Sequence, residues 1–187
     1  MNKLIVAITA LFVSVSSAFA QKVEWSVGLD AGVNLLYDSG KVGGAGFVSQ
    51  VGADAFVLPQ LGFRAAVQLG VGNPIPGDEK WKLGRGHFAG GISLDVLWDV
   101  IRTFNKTYSG LYSVQPYVRI GSLLGAGNQE IAFSMNYGAG VRQKVAVSKG
   151  LYLSLDMNAV IANEMSWRDV DGHIAFGQVR AGVIKTF

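Results

Sequence analysis

The sequence contains no cysteine. That excludes disulfides, thiolate metal sites and a lipid anchor on a cysteine after an export signal. Histidine occurs only at His87 and His173, and proline only four times. The glycine-rich stretches 40–46 and 125–127 are not followed by Gly-Lys-Ser/Thr, so neither is a phosphate loop. A formal net charge of +3 leaves no basic footprint for nucleic acid. Beyond residue 20, no apolar run approaches the roughly 20 residues of a membrane-spanning helix. What remains is a chain that is 50% hydrophobic and holds 25 glycines in 187 residues. That is nearly twice the usual glycine share of about 7%.

The first twenty residues stand apart. Asn2 and Lys3 form a short positive start, and Leu4–Val15 is an apolar run broken only by Thr9 and Ser14. Ser16–Ala20 ends in the small-x-small pattern of a signal-peptidase site. The run is too short to serve comfortably as a membrane anchor. Residues 1–20 are therefore expected to be a signal peptide, cleaved before Gln21. Residues 21–187 are expected to form one domain.

Alternation organises the rest. From Val23 to Tyr37 every odd position is apolar, while Glu24, Ser26, Gly28, Asp30, Gly32 and Asn34 fill the even ones. Strand side chains alternate faces, so one face is apolar and the other polar or bare. A helix would scatter the two sets around its circumference. Seven further segments repeat the pattern: Phe47–Leu58, Leu61–Val71, His87–Val100, Val114–Leu124, Ile131–Val145, Leu151–Ile161 and Ile174–Phe187. Eight strands of this length suit a tilted membrane crossing, which takes about 9–11 residues. Asp30, Asp54, Arg64, Asp95, Arg119, Arg142, Asp156 and Arg180 all fall on the polar face. The apolar face carries one clear charge, Lys185. Lipid cannot satisfy an open sheet edge, so such strands must close on themselves. The expected fold is all-β: a closed eight-stranded antiparallel up-and-down transmembrane β-barrel.

The connections set its orientation. Val57–Leu61 and Val147–Leu151 are tight turns, whereas Gly40–Gly46, Asn73–Gly86 and Ala162–His173 are expected to be longer, polar loops. Short and long alternate, as in outer-membrane barrels with short periplasmic turns and long external loops. Both termini are then periplasmic. Ile101–Ser113 breaks the rule, with room for a short helix or lengthened strand ends. Trp25, Phe63, Trp98 and Phe187 fall near one rim, and Tyr37, Phe47, Phe88 and Phe133 near the other, as interfacial girdles do.

Residues 21–187 resemble the small outer-membrane barrels of the outer membrane protein X type and the transmembrane part of outer membrane protein A. The most specific match is the last strand, with alternating Val179, Ala181 and Val183 before a terminal Phe187; Lys185 departs from the pattern. The resemblance implies that this strand is the assembly signal read by the barrel-insertion machinery. Outer-membrane lipid is the expected partner and a monomer the expected state, and with the sequence stopping at the barrel no peptidoglycan-binding domain is expected to follow.

Chemistry is scarce. His87 is followed by Phe88, Ala89 and Gly90, and His173 by Ile174, Ala175 and Phe176. Neither reproduces the His-x-Ser-Asn signature of barrel lipid A deacylases, so neither has its serine nucleophile. Both read as solvated rim residues, and no metal site, catalytic group or cofactor is expected. Trp81 and Trp167, each among charges in an external loop, are candidate contacts for an unidentified extracellular ligand. The four acids and four bases of the polar face are expected to pair inside a lumen just wide enough for its side chains. Glu24, Asp99 and Lys144 lie nearer the periplasmic mouth and are expected to be wetter. The favoured reading is a non-enzymatic envelope scaffold displaying surface loops. A narrow channel and a lipid-modifying enzyme are the alternatives.

Overall fold

A computed structural model describes residues 23–38, 41–72, 88–105, 107, 109–127, 130–165 and 173–187. The chain runs β1 (Glu24–Asp38), β2 (Lys41–Phe56), β3 (Leu61–Gly72), β4 (Phe88–Trp98), α1 (Val100–Phe104), β5 (Tyr112–Gly127), β6 (Glu130–Ser148), β7 (Leu151–Met165) and β8 (His173–Thr186). Each strand pairs antiparallel with the next, and β8 returns to β1, so the sheet is a closed barrel. Closure pairs both edges of every strand, which removes the exposed edge of an open sheet.

The alternation sorts the side chains as the pleat requires. Ile92 is 63% exposed and Leu94 60%, and the outward wall is largely apolar on all eight strands, with Lys185 exposed near the end of β8. The buried set is largely polar: Asp30, Gln50, Asp54, Arg64, Asp95, Arg119, Arg142, Asp156 and Arg180 all face inward. This inverts the arrangement of a water-soluble domain, whose buried residues are mostly apolar.

Two loops expected from the sequence are shorter than anticipated. Residues 41–46 belong to β2 and pair with β1 up to Asp38↔Lys41, across a register shift between Leu36 and Tyr37. The Gly-Gly-Ala-Gly run hides this strand because bare positions carry no hydrophobic alternation. At the other hairpin, β7 continues to Met165 and Asn163 pairs with His173, so part of the expected 162–173 loop is strand. The 101–113 connection holds both of its expected options, a five-residue helix and an early start to β5. Gly150 adopts φ +70° in the β6–β7 turn, a backbone conformation that favours glycine.

Candidate functional site in the barrel lumen

Register turns the inward charges into ladders. Asp54 faces Arg64, Arg64 faces Asp95, and Asp95 faces Arg119, so acid and base alternate across β2, β3, β4 and β5. A second ladder, Arg142–Asp156–Arg180, crosses β6, β7 and β8. Opposite charges on directly facing residues stabilise a sheet, and like charges there destabilise it. Arg64 Nε lies 2.9 Å from Asp54 Oδ1. Arg119 grips Asp95 with two bonds, Nε to Oδ1 at 2.7 Å and Nη2 to Oδ2 at 2.8 Å. Arg180 Nη2 stands 3.1 Å from Asp156 Oδ1.

Two further pairs cross the lumen between opposite strands. Arg64 Nη1 reaches Asp156 Oδ2 from β3 to β7 at 3.2 Å. Arg142 Nη2 reaches Asp54 Oδ2 from β6 to β2 at 2.8 Å. Neutral groups add further bonds to the charged ones. Tyr117 donates to Asp156 at 2.7 Å, and Ser26 to Asp54 at 3.0 Å. The Gln115 carbonyl accepts from Arg142 Nε and Nη2, and the Gln50 carbonyl accepts from Arg119 and Arg180. Of the eight expected charges, seven meet in this lattice. Asp30 is the exception: it accepts the Ser154 hydroxyl at 2.7 Å and makes no ion pair among the described residues. Gly182, opposite Asp30 in the register, makes the room that carboxylate occupies.

The inward glycines accommodate more than arginines. Arg64 does pass over Gly52, where a Cβ would lie 3.3 Å from Cδ. Gly62 instead lies under the Phe56 ring and Gly140 under that of Tyr117. Phe56, Leu97 and Tyr117 form an apolar cluster at the end of the lumen nearer the termini.

At that end the structure corrects the wet mouth expected from the sequence. Asp99 is 0% exposed and Lys144 3%. The cause is α1. Asp99 caps the helix, accepting from Arg102 N at 3.1 Å, and also takes the Ser113 hydroxyl at 2.6 Å. Such capping satisfies an amide that the first helical turn leaves unpaired. Arg102 then reaches over the mouth to Glu24 on β1, with bonds of 2.9 and 3.1 Å, and its guanidinium lies 5.7 Å from the Phe56 ring centre. Lys144 sits between the Phe56 and Tyr152 rings, 5.4 and 5.2 Å from their centres. Only Glu24 of the three keeps notable exposure, 31% of its side chain.

Arg102 escapes a sequence reading because it belongs to no alternating segment. Its signal is the capping acid three residues before it. Val179, Ala181 and Val183 face outward on β8, and Phe187 beyond its end donates its N–H to Trp25 O at 2.9 Å. Trp81, Trp167 and His87 lie outside the described residues. Among those described, no cluster of three or more metal-ligating side chains occurs.

No protein-family model and no curated protein matches the sequence. Solved structures match the fold. Neisserial surface protein A is 14% identical, with a TM-score of 0.64 over 89% of this chain and 100% of its own. A major outer membrane protein from Thermus thermophilus is 18% identical, with a TM-score of 0.58 over the same shares. The architecture is that of the small outer-membrane barrels. The likeness concerns the path of the strands, while the ladders and the α1 cap are read from this chain's own residues.

Proposed function

We propose that this protein is an integral barrel of a Gram-negative-type outer membrane, monomeric and non-enzymatic, that serves as an envelope scaffold and displays its external connections for contact. The observation that carries the reading is the inverted side-chain distribution. A wall of exposed aliphatic residues surrounds a lumen crossed by the Arg64–Asp156 and Arg142–Asp54 ion pairs. Only lipid makes such a wall favourable, and a closed barrel satisfies every strand edge there. The lumen-crossing pairs disfavour a pore, since conduction would require both to part.

Orientation follows from parity. With residues 1–20 removed on export, β1 starts in the periplasm and the even strand count returns the C-terminus to it. The β3–β4 and β7–β8 connections then face outward, carrying Trp81 and Trp167 toward an extracellular ligand. The last strand, with Val179, Ala181, Val183 and Phe187, engages the barrel-insertion machinery. The test is protease added to intact cells, followed by a detergent gel of boiled and unboiled samples. Cleavage is expected within residues 73–86 or 162–173, with a faster- or slower-running unboiled band. Cleavage at Lys106 in intact cells would invert the topology. Identical mobility of boiled and unboiled protein would remove the barrel from the membrane.

A further inference from the structure

The turns at the terminal end of the barrel are not alike. The β6–β7 turn exposes Ser148 and Lys149, and the β2–β3 turn exposes Pro59. The β4–β5 connection exposes Phe104 at 77% and Leu111 at 64%. Trp98, 44% exposed at the end of β4, meets Phe104 edge-on with ring centres 6.4 Å apart. Tyr112, also exposed, continues the surface onto β5.

The polar groups of this surface are turned onto one another. Trp98 donates its indole N–H to Thr103 Oγ1 at 2.8 Å, and that hydroxyl donates to Asp99 O at 2.9 Å. The Thr103 amide also bonds Asp99 O, and the Asn105 amide bonds Ile101 O. Helix α1 therefore has two faces: Arg102 turns over the lumen, while Phe104 turns away from the barrel. An apolar surface beside which the Trp98 indole, the Thr103 hydroxyl and the Thr103 and Asn105 amides are already bonded within the chain suits a water-poor environment. It is continuous, through Trp98, with the apolar wall. An indole at such a boundary places its amphipathic ring at headgroup depth.

We propose that Trp98, Phe104 and Leu111 form a foot that docks α1 into the interfacial layer of the periplasmic leaflet. The partner is a phospholipid surface, and the proposal rests on the membrane reading above. A short amphipathic segment lies in that layer with its apolar side chains at the acyl boundary. The foot gives the long connection a purpose that a tight turn could not serve. It holds α1 flat at the rim, where Arg102 can reach Glu24.

The absence of cysteine allows a direct test. The variants Phe104→Cys, Leu111→Cys, Leu94→Cys and Lys149→Cys each carry one nitroxide. The full chain is expressed and purified from a bacterial outer membrane, then reconstituted into vesicles of phosphatidylethanolamine and phosphatidylglycerol. Relaxation by oxygen is compared with relaxation by a water-soluble nickel chelate. Labels at 104 and 111 should favour oxygen, at a depth between the buried label at 94 and the aqueous label at 149. A label at 94 that favours nickel would refute the membrane reading itself. A lipid-buried label at 94, with labels at 104 and 111 as aqueous as that at 149, would overturn the foot alone. Labels at 104 and 111 shielded in native membranes but aqueous in vesicles would assign the surface to a protein partner and also overturn it.

Discussion

Asp54 and Arg64 face each other in register across β2 and β3, and each also holds a residue on the opposite wall. Asp54 gives one carboxylate oxygen to Arg64 and the other to Arg142. Arg64 divides its guanidinium between Asp54 and Asp156. One cross-strand pair thereby joins the two ladders into a single lattice, with both side chains almost sealed from solvent. In a buried network of this kind, the loss of one partner is worse than the loss of two, because the remaining charge keeps its desolvation penalty.

Arg64→Met should therefore destabilise the barrel by about 3–5 kcal/mol, the scale of a broken buried pair. Adding Asp54→Leu should cost less than the sum of the two single changes, because the Asp54–Arg64 pair that each single change breaks is lost only once in the double variant. Urea unfolding of the reconstituted barrel, read by tryptophan fluorescence, gives all three values. Strict additivity would show that the pair is not coupled.

Gly140 makes a second prediction. A Cβ there would lie 2.6 Å from the Tyr117 ring and 2.7 Å from Asn158 Cβ. Gly140→Val should displace Tyr117 and break its bond to Asp156, with a loss of about 1–3 kcal/mol, as for other overpacked sites. At Gly52 a Cβ would meet Ala66 Cβ and Arg64 Cδ at 3.3 Å, and the arginine chain can yield. Gly52→Ala should be milder. The temperature at which each variant loses its compact gel mobility ranks them, and a Gly52→Ala defect as large as that of Gly140→Val would contradict the packing.

The strands are legible in the sequence because an apolar outer wall and a polar lumen impose a period of two on every strand. All eight charges of the polar face therefore fall on the side the alternation assigns them. Their partners are not legible, since pairing depends on stagger: Arg64 meets Asp156 across a sequence separation of 92. Residues 41–46 read as a loop because glycine leaves no hydrophobic trace. Asp99 and Lys144 read as wet because nothing in the alternating pattern announces a helix folded over the mouth. Leu97 and Phe56 interrupt the polar face with apolar side chains, and their purpose emerges only where they meet Tyr117.

Phe187 offers a test that distinguishes assembly from stability. Its side chain is exposed, and its one backbone bond reaches Trp25 at the barrel's end. Deleting it leaves the β8 register from Thr186 onward in place. The truncated protein should unfold in vitro close to the full chain, since exposed terminal changes usually lie within about 0.5 kcal/mol. In cells its outer-membrane level should fall further than after deletion of any single external connection. Normal membrane levels would show that the last residue is not read during insertion.

The lumen yields the last prediction. An eight-stranded barrel has an interior that side chains can fill, with no width left for a general pore. Here two ion pairs span it between opposite strands, Phe56, Leu97 and Tyr117 pack at one end, and Arg102 bridges the mouth to Glu24. These closures act in series, so opening any one leaves the others in the path. The unmodified protein should show no stable conductance in a planar bilayer. Arg102→Gln should remain silent, because it leaves the lattice above the mouth intact. Arg119→Met strips Asp95 of its two-bond partner, and Asp54→Asn removes the charge shared by Arg64 and Arg142. Each should lower thermal stability or produce brief, flickering openings, as stranded charges draw water into the lumen. A steady, ion-selective conductance from the unmodified chain would mean that the lattice parts readily, and would make the protein a channel.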